Sequence, residues 1–222
     1  MKKSPDDNSN IQIVSVTQQN FDYHPTDERW QERICLALGW PLVGISCLSS
    51  VANADNIHPM RRPKFHCRIK GDGNCWYRTI AFIVTGDEEQ YPLIKSAVLN
   101  FMLQNLSVIQ QILQENSYIL DFYRDEIPVF TDNAARQILD YHQIDGQWAD
   151  NIIIELTSCI LKTDIYLYDT RNGWKGIHFT PSPFLRQQQF FVSSSNIEAT
   201  TNQAIYINHV GRNHFEPSHN GV

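Results

Sequence analysis

The 222-residue chain is short of cysteine, of basic charge and of long apolar runs. Its five cysteines, Cys35, Cys47, Cys67, Cys75 and Cys159, are odd in number and include no CxxC pair. That argues against a disulfide framework and against a structural zinc site. His66 and Cys67 are adjacent, so an extended backbone points them to opposite faces and they cannot easily share a metal. No metal is expected, and free thiols suit a reducing compartment. The formal net charge is −6, which is not the basic footprint of a nucleic-acid binder. A local basic cluster, Arg61, Arg62, Lys64, Arg68 and Lys70, reads as a solvated connector. The most apolar stretch, residues 34–48, is broken by Gly39, Pro41, Gly44 and Ser46. It is too short to span a membrane and reads as core packing. The N-terminus has charge but no apolar signal region. No internal repeat is visible.

What is present is enough for one sizeable core: 42% of the residues are hydrophobic and 11% aromatic. Residues 1–10 are polar and read as disordered. Residues 11–18 suggest a short strand. Thr26, Asp27 and Glu28 open a helix carrying Trp30, Ile34, Leu36 and Leu38, with Gly39 near its end. Residues 49–63 read as a loop and 63–70 as extended. Cys75–Val84 places Trp76, Ile80 and Val84 on one helical face, and Gly86 stops it. Helices follow over 91–106, 107–115 and 134–141, the last capped by Thr131 or Asp132. The spacing then predicts a helix over 148–161, with Trp148, Ile152, Leu156 and Cys159 on one face. From there the period changes. Residues 164–170 read as a strand, Asn172–Gly173 as a hairpin turn, and 175–180 as its partner. A polar connection over 181–202 contains FLRQQQFF, which reads as a loop with Phe184, Phe190 and Phe191 tucked into the core or as a flap. The clearest late strand is 203–210, followed by a turn and HFEP. Helices dominate the middle and strands gather at the end, so the fold class is α+β.

The chemistry centres on GDGNCWYR, residues 71–78. Cys75 stands where a helix begins, and unpaired N–H groups and the helix dipole favour a thiolate there. Gly73 permits a tight turn. The backbone N–H groups of Gly73, Asn74 and Cys75 can face a developing oxyanion. Asp72 braces the turn. A cysteine nucleophile needs a base with something to orient it. Of the eight histidines, His24, His58, His66, His142 and His178 lack a supporting neighbourhood. His214 follows a strand and a turn, and Glu216 two residues on faces the same side of an extended chain.

GDGNCWYR resembles the motif of the ovarian-tumour (OTU) family of cysteine proteases, through Asp72, Gly73, Asn74, Cys75 and Arg78. GQWADNIIIELTSCIL, IYLYD and NHFEP resemble the family's later blocks, in its order. The resemblance implies a papain-like α+β fold with a small, mostly C-terminal β-sheet flanked by helices. It implies a catalytic domain over 64–217, preceded by an extension (11–63) that packs on it and followed by a tail (218–222). It implies Cys75 as nucleophile, His214 as general base and Asp72 as a third catalytic-site residue. Glu216 stands where the family usually has Asp or Asn to orient the histidine. The activity implied is that of a deubiquitinase acting on ubiquitin or polyubiquitin, without a cofactor. A monomer is expected, with no nucleic-acid or membrane partner, in the cytoplasm or delivered into a host cell as an effector. Asp125, Glu126 and Glu155 are possible partners for the arginines of ubiquitin's tail. The alternatives are a non-catalytic ubiquitin-binding module on the same fold, or a protease for another ubiquitin-like modifier.

Overall fold

A computed structural model describes residues 22–45, 58–59, 63, 65–127, 129–171, 173–177, 203–211 and 213–219. The expected strand at 11–18, Arg61, Arg62, Lys64 and the FLRQQQFF segment lie outside the described residues.

The centre of the molecule is helix α2 (Cys75–Thr85). Of its eleven residues only Phe82 is not fully buried, so neighbours cover it on every side. Helix α1 (Glu28–Leu38) and helix α3 (Tyr91–Gln104) lie against it. Helices α4 (Leu106–Glu115), α5 (Ala134–Gln143) and α6 (Asn151–Leu161) complete the helical layer. Two stretches of 3₁₀ helix, Glu88–Gln90 and Ser117–Tyr123, join them.

The other layer is a five-stranded sheet of order β3-β7-β6-β4-β5. It is built from β3 (Phe65–His66), β4 (Asp164–Asp169), β5 (Gly173–Ile177), β6 (Ala204–Val210) and β7 (His214–His219). β4 and β5 form the expected hairpin, but β5 starts two residues earlier than expected, at Gly173, which stands opposite Asp169. β6 runs parallel to β4 and antiparallel to β7, with Val210 opposite His214. Four of the five strands come from the C-terminal third, so the α+β reading holds. A separate pair, β1 (Asp22–Tyr23) with β2 (His58–Pro59), lies near the sheet.

The described residues before position 46 are part of this architecture. Trp30, Ile34 and Cys35 belong to the main core with Trp76, Ile80 and Val84. The Trp30 indole N–H donates to Thr163 Oγ1 at 3.0 Å. Tyr23 joins Tyr166 and Tyr206 in a second apolar cluster on the sheet. The segment after α1 departs from the core-packing expectation. Gly39 ends the helix with φ +67°, and the chain then runs over the surface, tied by Val43 and Gly44 N–H groups to Thr85 O. Leu42, Val43 and Ile45 are therefore exposed, and within α1 itself Leu36, expected on the apolar face, points to solvent.

Two further expectations are corrected. Helix α5 is preceded by Asn133 with no side-chain cap; Thr131 binds Gln137 instead. Helix α6 starts at Asn151, because Asp150 caps it by accepting from Ile153 N–H at 3.0 Å. Trp148 lies before that cap and is exposed.

Candidate active site

The turn before α2 is built from its own short side chains. Asp72 Oδ1 accepts from the Asn74 N–H at 3.0 Å, a local bond that closes the turn. Asp72 Oδ2 accepts from Arg78 Nε and Nη2 at 2.9 and 2.7 Å. Arg78 is buried, donates its remaining arm to Glu89 at 2.9 Å, and lies 4.1 Å over the Tyr91 ring. Burial works to raise the Asp72 carboxyl, but the bonds from Arg78 and the Asn74 N–H outweigh it and hold it below the ordinary value. Asp72 is thus an ionised brace, committed to Arg78 and to the turn.

Gly73 has φ +84°, and a Cβ there would sit 1.9 Å from Gly146 O. The Cys75 turn consequently docks backbone to backbone on the loop between α5 and α6. Only glycine satisfies both the sign of φ and the contact.

Cys75 begins α2 and is buried. Burial pushes its thiol above the ordinary value; the N–H groups of Phe215, Trp76 and Cys75 itself pull the other way. The helix N-terminus therefore acts as expected in sign, but burial outweighs it. The same fact places the sulfur against the backbone of β7. That strand is latched to α2 by Thr79 Oγ1, which donates to Phe215 O at 2.9 Å, and by edge-to-face packing of Trp76 on Phe215 at 5.1 Å.

His214 immediately precedes Phe215 and so comes to the same end of α2. A Cβ built on Gly71 would lie 3.8 Å from both Cε1 and Nδ1 of His214. That edge of the imidazole therefore faces the turn. Its other nitrogen, Nε2, lies 3.5 Å from Glu216 Oε1. The alternation along β7 puts the two side chains on one face, as the i, i+2 spacing anticipates. Glu216 is buried and stands opposite Asn208 in the β6–β7 register. Sequence reading missed Asn208, whose place beside Glu216 depends on strand pairing.

Cys75, His214, Asp72, Glu216 and the Gly73–Asn74–Cys75 backbone thus converge on one end of α2, from segments far apart in the chain; of the expected oxyanion donors, the Asn74 N–H is already taken by Asp72. Asp125 and Glu126 are exposed beyond the 3₁₀ helix, and Glu155 is half-buried on α6. Among the described residues no group of His, Cys, Asp and Glu could hold a metal ion.

A model of the family described as OTU-like cysteine protease matches residues 70–203, more than half of the chain. The chain belongs to the OTU-like cysteine protease family. Several solved OTU structures are similar to it. The viral OTU domain protease from Farallon virus is 18% identical, with 70% of this chain and 83% of that chain covered at a TM-score of 0.47. The one from Dera Ghazi Khan virus is 15% identical, with 71% and 81% covered at 0.47. The Hazara virus OTU bound to ubiquitin is 18% identical, with 71% and 82% covered at 0.40. No match is found among curated proteins. The OTU motif lies at the start of α2, and the matched segment stops just before the strand pair that carries His214.

Proposed function

We propose that this OTU-family protein is a thiol-dependent isopeptidase that removes ubiquitin from proteins or cleaves polyubiquitin. The observation that carries the reading is the meeting of Cys75, at the N-terminus of a buried helix, with the strand His214–Phe215. This is a nucleophile–base pair in an OTU-like cysteine protease.

The geometry supports acyl transfer. His214 takes the Cys75 proton on the nitrogen facing the turn, while Glu216 holds Nε2 and stabilises the imidazolium. The thiolate attacks the carbonyl of ubiquitin's terminal glycine. The electron pair of that carbonyl moves to oxygen, where the backbone N–H groups of Gly73 and Cys75 receive it, the Asn74 N–H being held by Asp72. Collapse expels the lysine amine, which takes its proton from His214, and leaves a thioester on Cys75. His214 then accepts a proton from water as the water attacks the thioester, and the thiol and a free glycine carboxylate are released. No step calls for a cofactor. We place this chemistry in a reducing compartment such as the cytoplasm, where Cys35, Cys67, Cys75 and Cys159 stay as thiols.

The substrate reading is tested with a panel of probes. Ubiquitin and other ubiquitin-like modifiers, each carrying a C-terminal electrophile, are incubated with the protein. A covalent adduct with the ubiquitin probe that disappears in Cys75→Ala is expected. Reaction with another modifier's probe alone would transfer the activity to that modifier. Ubiquitin binding without an adduct would make the protein a binding module.

A further inference from the structure

Helix α3 carries a lysine at a position its neighbours would assign to the core. Lys95 lies between Ile94 and Val98 on the buried face and is itself buried. An ammonium taken out of water is costly unless its donors are satisfied. Here they are: Nζ donates to Ile144 O at 2.8 Å and to Asn74 Oδ1 at 3.3 Å, and it lies 5.6 Å from the Tyr77 ring centroid. Asn74 directly precedes the nucleophile. The other end of its amide, Nδ2, donates to Asp145 Oδ1 at 3.0 Å. The amide is therefore held at both ends, its oxygen by a cation and its nitrogen by a carboxylate. Its backbone is also engaged, through Asp72 on the N–H and the Arg78 N–H on the carbonyl.

We propose that Lys95 is a positioning residue for the nucleophile, clamping the turn that carries Cys75 onto the 144–146 loop and thereby aiming the turn's backbone N–H groups. Asp72 and Arg78 hold the turn from its own side; Lys95 of α3 and Asp145 of the loop after α5 hold it from the other, where Gly73 touches Gly146. The arrangement rests on the acyl-transfer reading above, because N–H groups aimed at an oxyanion matter only if one forms. Small misplacement of such groups is expensive in rate and cheap in binding. A buried cation retained for stability alone is replaceable by an apolar side chain of similar volume with little loss.

The test compares wild type with Lys95→Met and Asp145→Ala, both checked for folding by thermal melts. Hydrolysis of a ubiquitin C-terminal amide is followed as kcat and KM separately. Alkylation of Cys75 by iodoacetamide, located by peptide mass, is followed against pH with no ubiquitin present. For Lys95→Met, kcat is expected to fall about 10- to 100-fold with KM nearly unchanged, and Cys75 alkylation to move to higher pH. For Asp145→Ala, which releases only one end of the amide, the fall in kcat is about 3- to 10-fold. Wild-type kcat and a wild-type alkylation profile in either folded variant would overturn the proposal. If Lys95→Met does not fold, Asp145→Ala, at an exposed position, decides. If wild type does not cleave ubiquitin, the substrate reading fails, while the alkylation profiles still decide whether Lys95 positions Cys75.

Discussion

Glu216 Oε1 lies 3.5 Å from His214 Nε2, with both side chains carried on one face of β7. Its work is orientation plus charge, and two substitutions separate them. Glu216→Ala should lower kcat roughly 10²-fold with little change in KM. Glu216→Gln, which still presents an oxygen to the same N–H, should lose less. Equal losses in steady-state kinetics would assign the effect to charge alone. Gly73 gives a sharper test at the same scale. A methyl group there collides with the Gly146 backbone, and φ +84° disfavours any side chain. Gly73→Ala should destabilise the protein by about 2 kcal/mol or more in urea unfolding and lower activity far more than that loss of folded protein explains.

Among the elements, α5 and α6 meet through a buried imidazole. His142 Nε2 lies 3.1 Å from Asp150 Oδ2, the residue that caps α6, and 3.4 Å from the Tyr123 hydroxyl. Burial, then the nearby Lys95 charge, pushes His142 down to about 4. An unfolded histidine titrates near about 6.5. Between those values the unfolded histidine binds more protons than the folded one, so the contribution of neutral His142 is complete above the unfolded value and is lost as pH falls toward about 4. Asp150 beside it, pushed up to about 6 by burial, has the opposite dependence and is common to wild type and a His142 variant. Urea unfolding at descending pH should show wild type losing up to about 3 kcal/mol more than His142→Gln across this window. Parallel stability curves would refute a buried neutral His142. Element boundaries show where sequence reading succeeds. The Cys75 turn and the β4–β5 hairpin were legible because their chemistry is local: glycines, a short carboxylate, an apolar run of one period. Glu216 was legible because period two is local as well. Trp148 was misplaced because the apolar spacing runs on past Asp150, whose carboxylate starts the helix; Asp followed three positions on by a buried Ile153 was the available signal. The parallel β4–β6 pairing and the Lys95–Asn74–Asp145 clamp join segments far apart in the chain, and no spacing rule reaches them.

For the whole molecule, the extent of the cooperative unit matters most. The OTU match begins at residue 70, yet Trp30 is 1% exposed in the core that surrounds α2. If α1 is integral to that core, Trp30→Ala should cost about 3–5 kcal/mol. That is a drop in Tm of roughly 8–15 °C for a domain of this size. A small shift, or a separate early transition, would make α1 an appendage. No described helix is long and apolar enough to cross a membrane.

The central claim is that Cys75 carries the acyl group of the substrate. Single-turnover reaction with a ubiquitin C-terminal amide, quenched in acid and read by intact mass, tests it directly. The account predicts a species heavier by one ubiquitin acyl group, mapped to Cys75, absent in Cys75→Ala and forming much more slowly in His214→Ala. Cleavage of ubiquitin that persists in Cys75→Ala with no such species would contradict it.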